Sequence, residues 1–296
     1  MAKPTDFDPA TAFEIVAPAR QTVPFVLNSP HSGSCYPASF LAASRLDAAT
    51  IRRSEDSFVD ELILPAAELG MPLLRAHFPR AWLDVNREPF ELDPRMFSGA
   101  LPSYANIRSA RVTGGLGTIA RVVADSEEIY ARPLAVEEAL ERIETVYLPY
   151  HDALTRLVDE TDARFGCCVL LDCHSMPSTV RVPNQRTRPD IVLGDRHGTS
   201  CAPRLVGTAE AILTRLGYDV ARNRPYAGGY ITEHYGRPAD GIHALQIEIN
   251  RALYLNERTL ERTAGFDRLS ANLAVFAKLL VEASGSWLMP QAEAAE

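Results

Sequence analysis

Two apolar runs that end in polar residues restrict the fold of this chain more than any other feature. The run CVLLDCHS (168–175) changes from apolar residues to Asp172 and His174 within a few positions. The run TVPFVLNSPHSG (22–33) makes the same change and reaches His31. In an open α/β sheet, ligands bind outside the carboxyl ends of the strands. We therefore expect the two histidines to converge on one metal ion or one substrate.

Strand-like runs alternate with helical patterns along the sequence. The strand-like runs are 23–28, 71–78, 81–86, 168–173, 190–194 and 243–250. Helical spacing covers 47–69, 134–166, 201–216 and 257–284, with a kink expected at Pro149 and stops at Gly70, Gly166 and Gly285. The alternation predicts one α/β domain over 1–296 with three layers, in which helices cover both faces of a mixed, mostly parallel sheet. The ends, about 1–12 and 288–296, are expected to fray.

Composition excludes several classes of protein. The chain has 296 residues, of which 46% are hydrophobic and 23% charged, as in ordinary globular proteins. A net charge of −8 argues against a nucleic-acid partner, and no apolar stretch has the length of a membrane span or a signal peptide. Five cysteines without CxxC spacing are typical of reduced thiols. We expect a cytoplasmic protein, and the sequence leaves the oligomeric state open.

A metal held by two histidines needs a third protein ligand, because catalytic zinc usually has three and keeps one position open. The segment RRSEDSFVDEL (52–62) offers Glu55 and Asp56 at the start of an amphipathic helical pattern, and we expect both acids in the first turn of that helix. Helical phase favours Glu55. Acids in a first helical turn are also common as capping or dipole-stabilising groups, so the residues alone leave this choice open.

Glu248 is the one acid in the strand-like run HALQIEIN (243–250). Alternation along a strand places Glu248 on the same face as Gln246, opposite Ile247 and Ile249. Apolar surroundings disfavour the charged form of a carboxylate, which suits a general base that works near neutral pH. The alternative is a structural ion pair with Arg251.

The segment FPRAWLDVNREPF (78–90) carries two arginines at another predicted strand end. Arg80 and Arg87 are suited to bind a carboxylate or a developing oxyanion, and the alternative is a surface salt bridge. Asp84 is placed to orient a ligating histidine through its second ring nitrogen.

Two further motifs carry less weight. The glycine pair in NRPYAGGYITEHYG (223–236) predicts a turn between two polar strands, with His234 and Tyr235 beyond it. Cys173 precedes His174, but neighbouring strand residues face opposite sides, so these two cannot form a nucleophile and base pair.

Seven motifs, taken in order, resemble the N-formylglutamate amidohydrolases over about residues 23–255. They are NSPHSG, EDSFVDEL, DVNRE, LLDCHS, GDRHGTSCAP, GGYITEHYG and QIEIN. That family is distantly similar to the zinc carboxypeptidases and aspartoacylases. The resemblance implies a mixed α/β sheet and one Zn²⁺ ion held by two histidines and a carboxylate, although other transition metals suit such ligands.

The resemblance also implies roles for individual residues. His31, Asp56 and His174 are the implied metal ligands, with Glu55 as the alternative to Asp56. Glu248 is the implied general base, and Arg87 is implied to be catalytic. The implied substrate-binding residues are Arg80, Asn86, Arg87, Arg121 and Tyr230.

This chain departs from the family pattern at two positions. Basic residues that the family places at Glu233 and near Pro177 are missing, and Arg121, Arg181 and Arg186 are candidates to replace them. The implied reaction is metal-dependent hydrolysis of N-formyl-L-glutamate, a small anionic N-acyl amino acid, to formate and L-glutamate. The alternatives are hydrolysis of another N-acyl amino acid or small amide, and metal binding or ligand sensing without catalysis.

Overall fold

The structure, a computed structural model, describes residues 8–123, 126–181 and 188–288. In this part of the chain the strands are β1 (Phe13–Val16), β2 (Phe25–Ser29), β3 (Leu73–Ala76), β4 (Phe97–Ser98), β5 (Leu134–Ala135), β6 (Cys168–Met176), β7 (Ile191–Gly194), β8 (Val220–Arg222), β9 (Ile242–Asn250), β10 (Leu255–Asn256) and β11 (Glu261–Arg262). The helices are α1 (Ala38–Ala43), α2 (Ala48–Ile51), α3 (Val59–Ala67), α4 (Ala110–Thr113), α5 (Val136–Arg142), α6 (Leu148–Phe165), α7 (Pro203–Arg215), α8 (Tyr230–Tyr235) and α9 (Phe266–Leu288). None of these helices is long and apolar enough to cross a membrane.

A seven-stranded sheet has the order β1-β3-β2-β6-β9-β7-β8. β2 pairs with β6, β6 with β9 and β7 with β8 in parallel, whereas β7 runs antiparallel to β9. The prediction of a mixed, mostly parallel sheet with helices is confirmed.

Contacts within the chain separate two compact units. The first contains Pro30–Ser57, Arg75–Ala153 and the described residues before Ile15. The second contains Ile15–Ser29, Phe58–Leu74 and the described residues from Leu154 onward. The prediction of a single domain stays a prediction.

Alternation along β6 and β9 separates core residues from polar residues in the second unit. Leu171 and Cys173 of β6 join Ile247 and Ile249 of β9 in an apolar cluster that includes side chains of α3, α7 and α9. Side chains at the intervening positions face the other side of the sheet. These positions hold Asp172, His174, Gln246 and Glu248, so the strands that build the core also present a row of polar groups.

Two predicted elements differ from the structure. The run 81–86 is not a strand, because Pro79 starts a turn in which its carbonyl accepts a bond from the Trp82 backbone N–H. The helix predicted over 257–284 begins only at Phe266, since the chain first forms the β10–β11 hairpin, and it continues past Gly285 to Leu288.

The other predicted helices carry local interruptions. The pattern over 47–69 breaks before α3, where Phe58 has a φ of 64° that no α-helix accommodates. The pattern over 134–166 contains a π-helical turn, Ile143–Tyr147, directly before Pro149. Proline cannot donate the regular helical bond, and a π turn is one way to accommodate that loss. The predicted stop is confirmed at Gly166, which follows α6 with a φ of 72°.

The predicted frayed ends lie partly outside the described residues. Of the described ones, Pro9–Thr11 form a 3-10 turn capped by the Asp8 carboxylate, and Leu288 is the last residue of α9. Fraying stays a prediction.

Candidate metal centre and active site

His31 lies just beyond β2, where a glycine allows close packing of the backbone. A Cβ atom at Gly33 would lie 2.1 Å from the carbonyl oxygen of Phe78, so only glycine fits there. The imidazole of His31 is buried, and its Nε2 lies 2.7 Å from Oδ1 of Asp84. The sequence-based expectation that Asp84 orients a histidine therefore matches this geometry.

Asp84 is a buried carboxylate surrounded by positive charge. Its Oδ2 lies 2.8 Å from Nη2 of Arg80 and 3.6 Å from Nη2 of Arg87. Burial alone would raise the pKa of Asp84, but the charges of Arg87 and Arg80, together with the hydrogen bond from His31, outweigh burial and hold that pKa well below its usual range. An ionised Asp84 accepts a bond from Nε2–H of His31, and this fixes the tautomer in which Nδ1 carries the lone pair.

Asp56 is held against the same histidine by the backbone. Its N–H donates to the carbonyl oxygen of His31 at 3.0 Å, and its Oδ2 lies 3.4 Å from Nδ1 of His31. The expectation that Glu55 and Asp56 occupy the first turn of a helix is wrong. Both residues precede α3, and the acids of its first turn are Asp60 and Glu61.

Glu55 is buried, and three neighbours hold its carboxylate. Nε and Nη2 of Arg52 lie 2.8 and 3.0 Å from its two oxygens. The hydroxyl of Tyr36 donates to it at 2.6 Å and that of Ser57 at 3.0 Å. Burial, followed by the nearby Glu55 charge, raises the pKa of Tyr36, so this phenol remains a donor. Glu55 therefore joins the segment after His31 to the segment that carries Asp56.

His174 is oriented by its own strand. Asp172 and His174 lie two positions apart on β6, and Nε2 of His174 lies 3.0 Å from Oδ2 of Asp172. The other carboxylate oxygen of Asp172 accepts a bond from Nδ2 of Asn28 at 2.8 Å. β2 and β6 place Asn28 and Asp172 in register, so sheet pairing sets this contact.

The buried residues His31, Asp56 and His174 form a candidate metal site. Their chemistry fits a metal ion. In each histidine, Nε2 faces a carboxylate, which is the usual way in which proteins orient a ring that binds metal through its other nitrogen. Two imidazoles and one carboxylate are a donor set for catalytic zinc, and they also accept iron, cobalt or nickel.

Glu248 lies beside His174 in the sheet. The two residues are register partners on the parallel strands β9 and β6, and both side chains are buried. Nε2 of Gln246 donates to Oε1 of Glu248 at 2.9 Å, and Oε1 of Gln246 accepts the N–H of Gly229 at 2.8 Å. The carboxylate is thus held through the backbone that leads into α8.

Comparison with known proteins agrees with this architecture. A profile of the family N-formylglutamate amidohydrolase matches residues 23–255. The chain belongs to this family. It is 29% identical to the N-formylglutamate deformylase of Pseudomonas aeruginosa over 248 residues, which cover 83% of this chain and 87% of the relative. It is 27% identical to the N-formylglutamate deformylase of Pseudomonas putida over 268 residues, which cover 90% and 93%.

A solved relative has the same fold. The crystal structure of N-formylglutamate amidohydrolase from Ralstonia eutropha JMP134 matches with a TM-score of 0.87 and 38% identity. The match covers 93% of this chain and 99% of that structure. The chain is therefore an amidohydrolase of this family, and the likeness to zinc carboxypeptidases stays a prediction.

Arg87 and its neighbours surround Asp84, the carboxylate that faces His31. Nε of Arg87 donates to the carbonyl oxygen of Leu116 and Nη1 to that of Asn86, each at 2.8 Å. Burial lowers the pKa of Arg87, and the charge of Asp84 opposes that effect. The backbone N–H of Asn86 donates to Oδ1 of Asp84 at 2.9 Å. Arg80, Asn86 and Arg87 are thus all gathered around Asp84.

The loop that carries these residues rests on the π turn. The hydroxyl of Tyr147 donates to the carbonyl oxygen of Arg87 at 2.6 Å. Nε2 of His151 lies 2.9 Å from the carbonyl oxygen of Val85. Both side chains come from the helix that contains the π turn, so this irregular helix supports the loop.

The other predicted substrate residues lie in varied surroundings. Tyr230 is the first residue of α8 and stacks on His234, with ring centroids 5.1 Å apart. The turn expected between two strands therefore leads into a helix instead, since no strand follows Gly229 within 230–241. Arg121 donates to Asp93 and Glu128 at 2.8 and 2.9 Å. Its role in substrate binding stays a prediction.

Glu233 is one of the two positions that depart from the family pattern, and Arg181 and Arg186 are candidates to replace the missing basic residues. Glu233 forms an ion pair with Arg196 at 2.6 Å, a partner that sequence reasoning did not identify. Arg181 is exposed, and Arg186 lies outside the described residues.

Cys173 belongs to the apolar cluster, and burial raises its thiol pKa, which agrees with its exclusion as a nucleophile. The sequence placed Gln246 on the same strand face as Glu248, but it gave no sign of the bond between Gln246 and Gly229 or of the bond between Tyr36 and Glu55.

Proposed function

We propose that this enzyme hydrolyses the amide bond of N-formyl-L-glutamate to give formate and L-glutamate. Family membership supports the substrate class. The observation that carries the chemistry is the register of β6 and β9, which makes a histidine ligand and a buried glutamate neighbours. A metal ligand beside a general base is an arrangement suited to metal-dependent amide hydrolysis.

In this proposal His31, Asp56 and His174 hold one Zn²⁺ ion. When bound, the metal polarises the amide carbonyl and makes water a better nucleophile at neutral pH. Asp56 is preferred to Glu55, because Arg52, Tyr36 and Ser57 already bind the Glu55 carboxylate. Asp84 and Asp172 orient the two imidazoles.

Glu248 acts as the general base and then as the acid. It takes a proton from the attacking water and returns that proton to the nitrogen of the leaving amine. Gln246 donates to one oxygen of Glu248 and so helps to orient the carboxylate for this transfer. Burial of the Glu248 side chain limits its contact with bulk solvent.

The arginines around Asp84 bind the substrate's negative charge. Arg87 and Arg80 are suited to the carboxylate and to the oxyanion that forms in the transition state, for which one lost donor costs about 3–4 kcal/mol in comparable acyl-transfer sites. Asn86 and Tyr230 complete the contacts to the substrate in this proposal. A cytoplasmic location is part of the proposal, because five free cysteines suit a reducing compartment.

Another N-acyl amino acid is the second candidate substrate. The acidic Glu233, paired with Arg196, favours it because the family places a basic residue at that position. The two candidates therefore differ in the amino-acid side chain that the enzyme accepts.

A substrate panel tests both candidates. Purified enzyme, loaded with zinc and with the metal content measured, is given N-formyl-L-glutamate, N-formyl-L-aspartate, N-formyl-L-glutamine and N-acetyl-L-glutamate, and formate, acetate and amine are measured separately. We expect formate and glutamate in equal amounts from the first compound, and loss of turnover in Glu248→Gln with metal retained. Faster turnover of another compound would transfer the assignment to that substrate. Full activity in Glu248→Gln would reject the mechanism.

A further inference from the structure

We propose that the first unit carries a second binding pocket, which takes a small anion with two negative charges. A cavity of about 170 Å³ in this unit is lined by four arginines from separate stretches of the chain, together with an apolar wall. The arginines are Arg45, Arg95, Arg121 and Arg132, and the wall is formed by Met96, Tyr130 and Pro133. Nothing in the proposed reaction uses this group.

Three of the arginines are held in place by two carboxylates. Asp93 binds Arg95 at 2.7 Å and Arg121 at 2.8 Å. Glu128 binds Arg121 at 2.9 Å and Arg45 at 3.4 Å. The result is a chain of alternating charges with Arg121 at its centre. Guanidinium groups fixed in this way lose less conformational entropy when they bind a ligand.

The charges of the pocket do not balance. The lining contains four arginines and one carboxylate, Glu128, and Asp93 behind two of the arginines adds a second negative charge, so the group has a net charge of +2. Across the ranges that the structure describes, the guanidinium of Arg132 has no ion pair or hydrogen bond. A dianion would neutralise the excess, whereas a cation or a neutral ligand would leave the arginines repelling one another.

The chemistry of the pocket favours a compact organic or inorganic dianion. Arginine forks bind carboxylate and phosphate with two parallel bonds, so both classes of anion fit. The apolar wall provides a surface for a short carbon chain. This pocket gives Arg121 a role other than the substrate contact expected from the sequence, and the proposal does not depend on which N-acyl amino acid is hydrolysed.

Calorimetry on the zinc-loaded enzyme tests this pocket with two probes, glutarate and inorganic phosphate. Wild type is compared with Arg132→Ala, Arg132→Lys and Arg45→Ala. The control is Arg156→Ala, which removes an exposed arginine of α6 that is paired with Glu160. Because both probes can also occupy the catalytic site, inhibition of turnover by each probe is measured in parallel.

We expect one saturable binding event per chain whose dissociation constant differs from the constant with which the same probe inhibits turnover. Loss of Arg132 should weaken this event by about tenfold or more, since a charge-assisted contact is lost, and Arg132→Lys should keep part of the affinity. The inhibition constant should stay unchanged, and Arg156→Ala should bind as wild type does. Preference for glutarate or for phosphate then identifies the ligand class.

Two results would overturn the proposal. One is that each probe binds only at the catalytic site, with a dissociation constant equal to its inhibition constant. The other is that Arg132→Ala and Arg45→Ala both bind as the control does, while thermal melting shows every variant folded.

Discussion

The two histidines of the candidate metal site are oriented by the same kind of partner but in different settings. His31 depends on Asp84, a carboxylate in a loop whose charge is balanced by Arg80 and Arg87. His174 depends on Asp172, a carboxylate within a strand that receives a neutral amide from Asn28. One setting is maintained by charge and the other by sheet register. An orienting carboxylate thus needs a fixed neighbour, which can be a charged side chain or an amide side chain placed by the register of the sheet.

The largest effect is expected from replacing the strand histidine. His174→Ala should lose stoichiometric zinc and nearly all activity, because two ligands rarely retain catalytic zinc. Metal content by mass spectrometry and turnover of N-formyl-L-glutamate measure both losses. The neighbouring Cys173→Ala is the control, since this side chain faces the apolar cluster and should leave metal binding intact. Full zinc occupancy with normal turnover in His174→Ala would remove this residue from the site.

Replacing each orienting carboxylate by an amide tests whether the two histidine settings differ. Asp84→Asn and Asp172→Asn should each weaken zinc binding by about 10- to 100-fold. Only Asp84→Asn should also destabilise the fold strongly, by about 3–5 kcal/mol, because it removes a buried charge that compensates the largely buried guanidinium of Arg87. Competition with a chelator and urea unfolding measure these two quantities. Equal losses of stability in the two variants would show that charge and register do not distinguish the settings.

Replacing the adjacent acids Glu55 and Asp56 one at a time tests which of them binds the metal. Asp56→Asn should abolish tight zinc binding, whereas Glu55→Gln should weaken it by about tenfold, since it loosens the segment that holds Asp56 without removing a ligand. Tyr36→Phe, which removes the hydroxyl that donates to Glu55, should act in the same direction as Glu55→Gln. Zinc titration of the three variants decides. If Glu55→Gln abolished binding and Asp56→Asn did not, Glu55 would be the ligand.

The smallest effect is expected from a replacement in β9 that leaves the three predicted metal ligands unchanged. Gln246→Leu removes the amide that donates to Glu248 and should lower kcat by about tenfold with little change in KM, as expected for a misaligned base. Zinc content should be unchanged. Steady-state kinetics separates this outcome from a loss of substrate binding, which would raise KM instead and assign Gln246 to the substrate.

The sheet could be predicted from sequence because its strands carry strong local patterns. The runs that became β2, β6 and β9 are rich in β-branched and aliphatic residues. The polar ending of the β6 run indicated His174, and alternation along the β9 run indicated Glu248. Seven motifs in a fixed order then indicated the family and the reaction that it implies. Local pattern misplaced 81–86 and the start of α9, where a turn at Pro79 and the β10–β11 pairing override apolar spacing.

Other parts of the site depend on contacts between distant residues and could not be predicted. Helical phase favoured Glu55 as the ligand, but Phe58 with its left-handed backbone breaks the helix and removes the basis of that phase. The partner of Glu233 lies in a different loop, and the bond from Gly229 to Gln246 joins residues with no shared local pattern. Such contacts exist only after the chain has folded.

The wide turn at Ile143–Tyr147 also constrains how this enzyme can evolve. Tyr147, the last residue of this turn, and His151, one helical turn later, contact the backbone at Arg87 and Val85. Deleting a single residue there would restore regular winding and rotate the later side chains by roughly 100°. Relatives with a shorter segment at this point should therefore have lost both supports together, and with them the rigidity of the arginine-bearing loop.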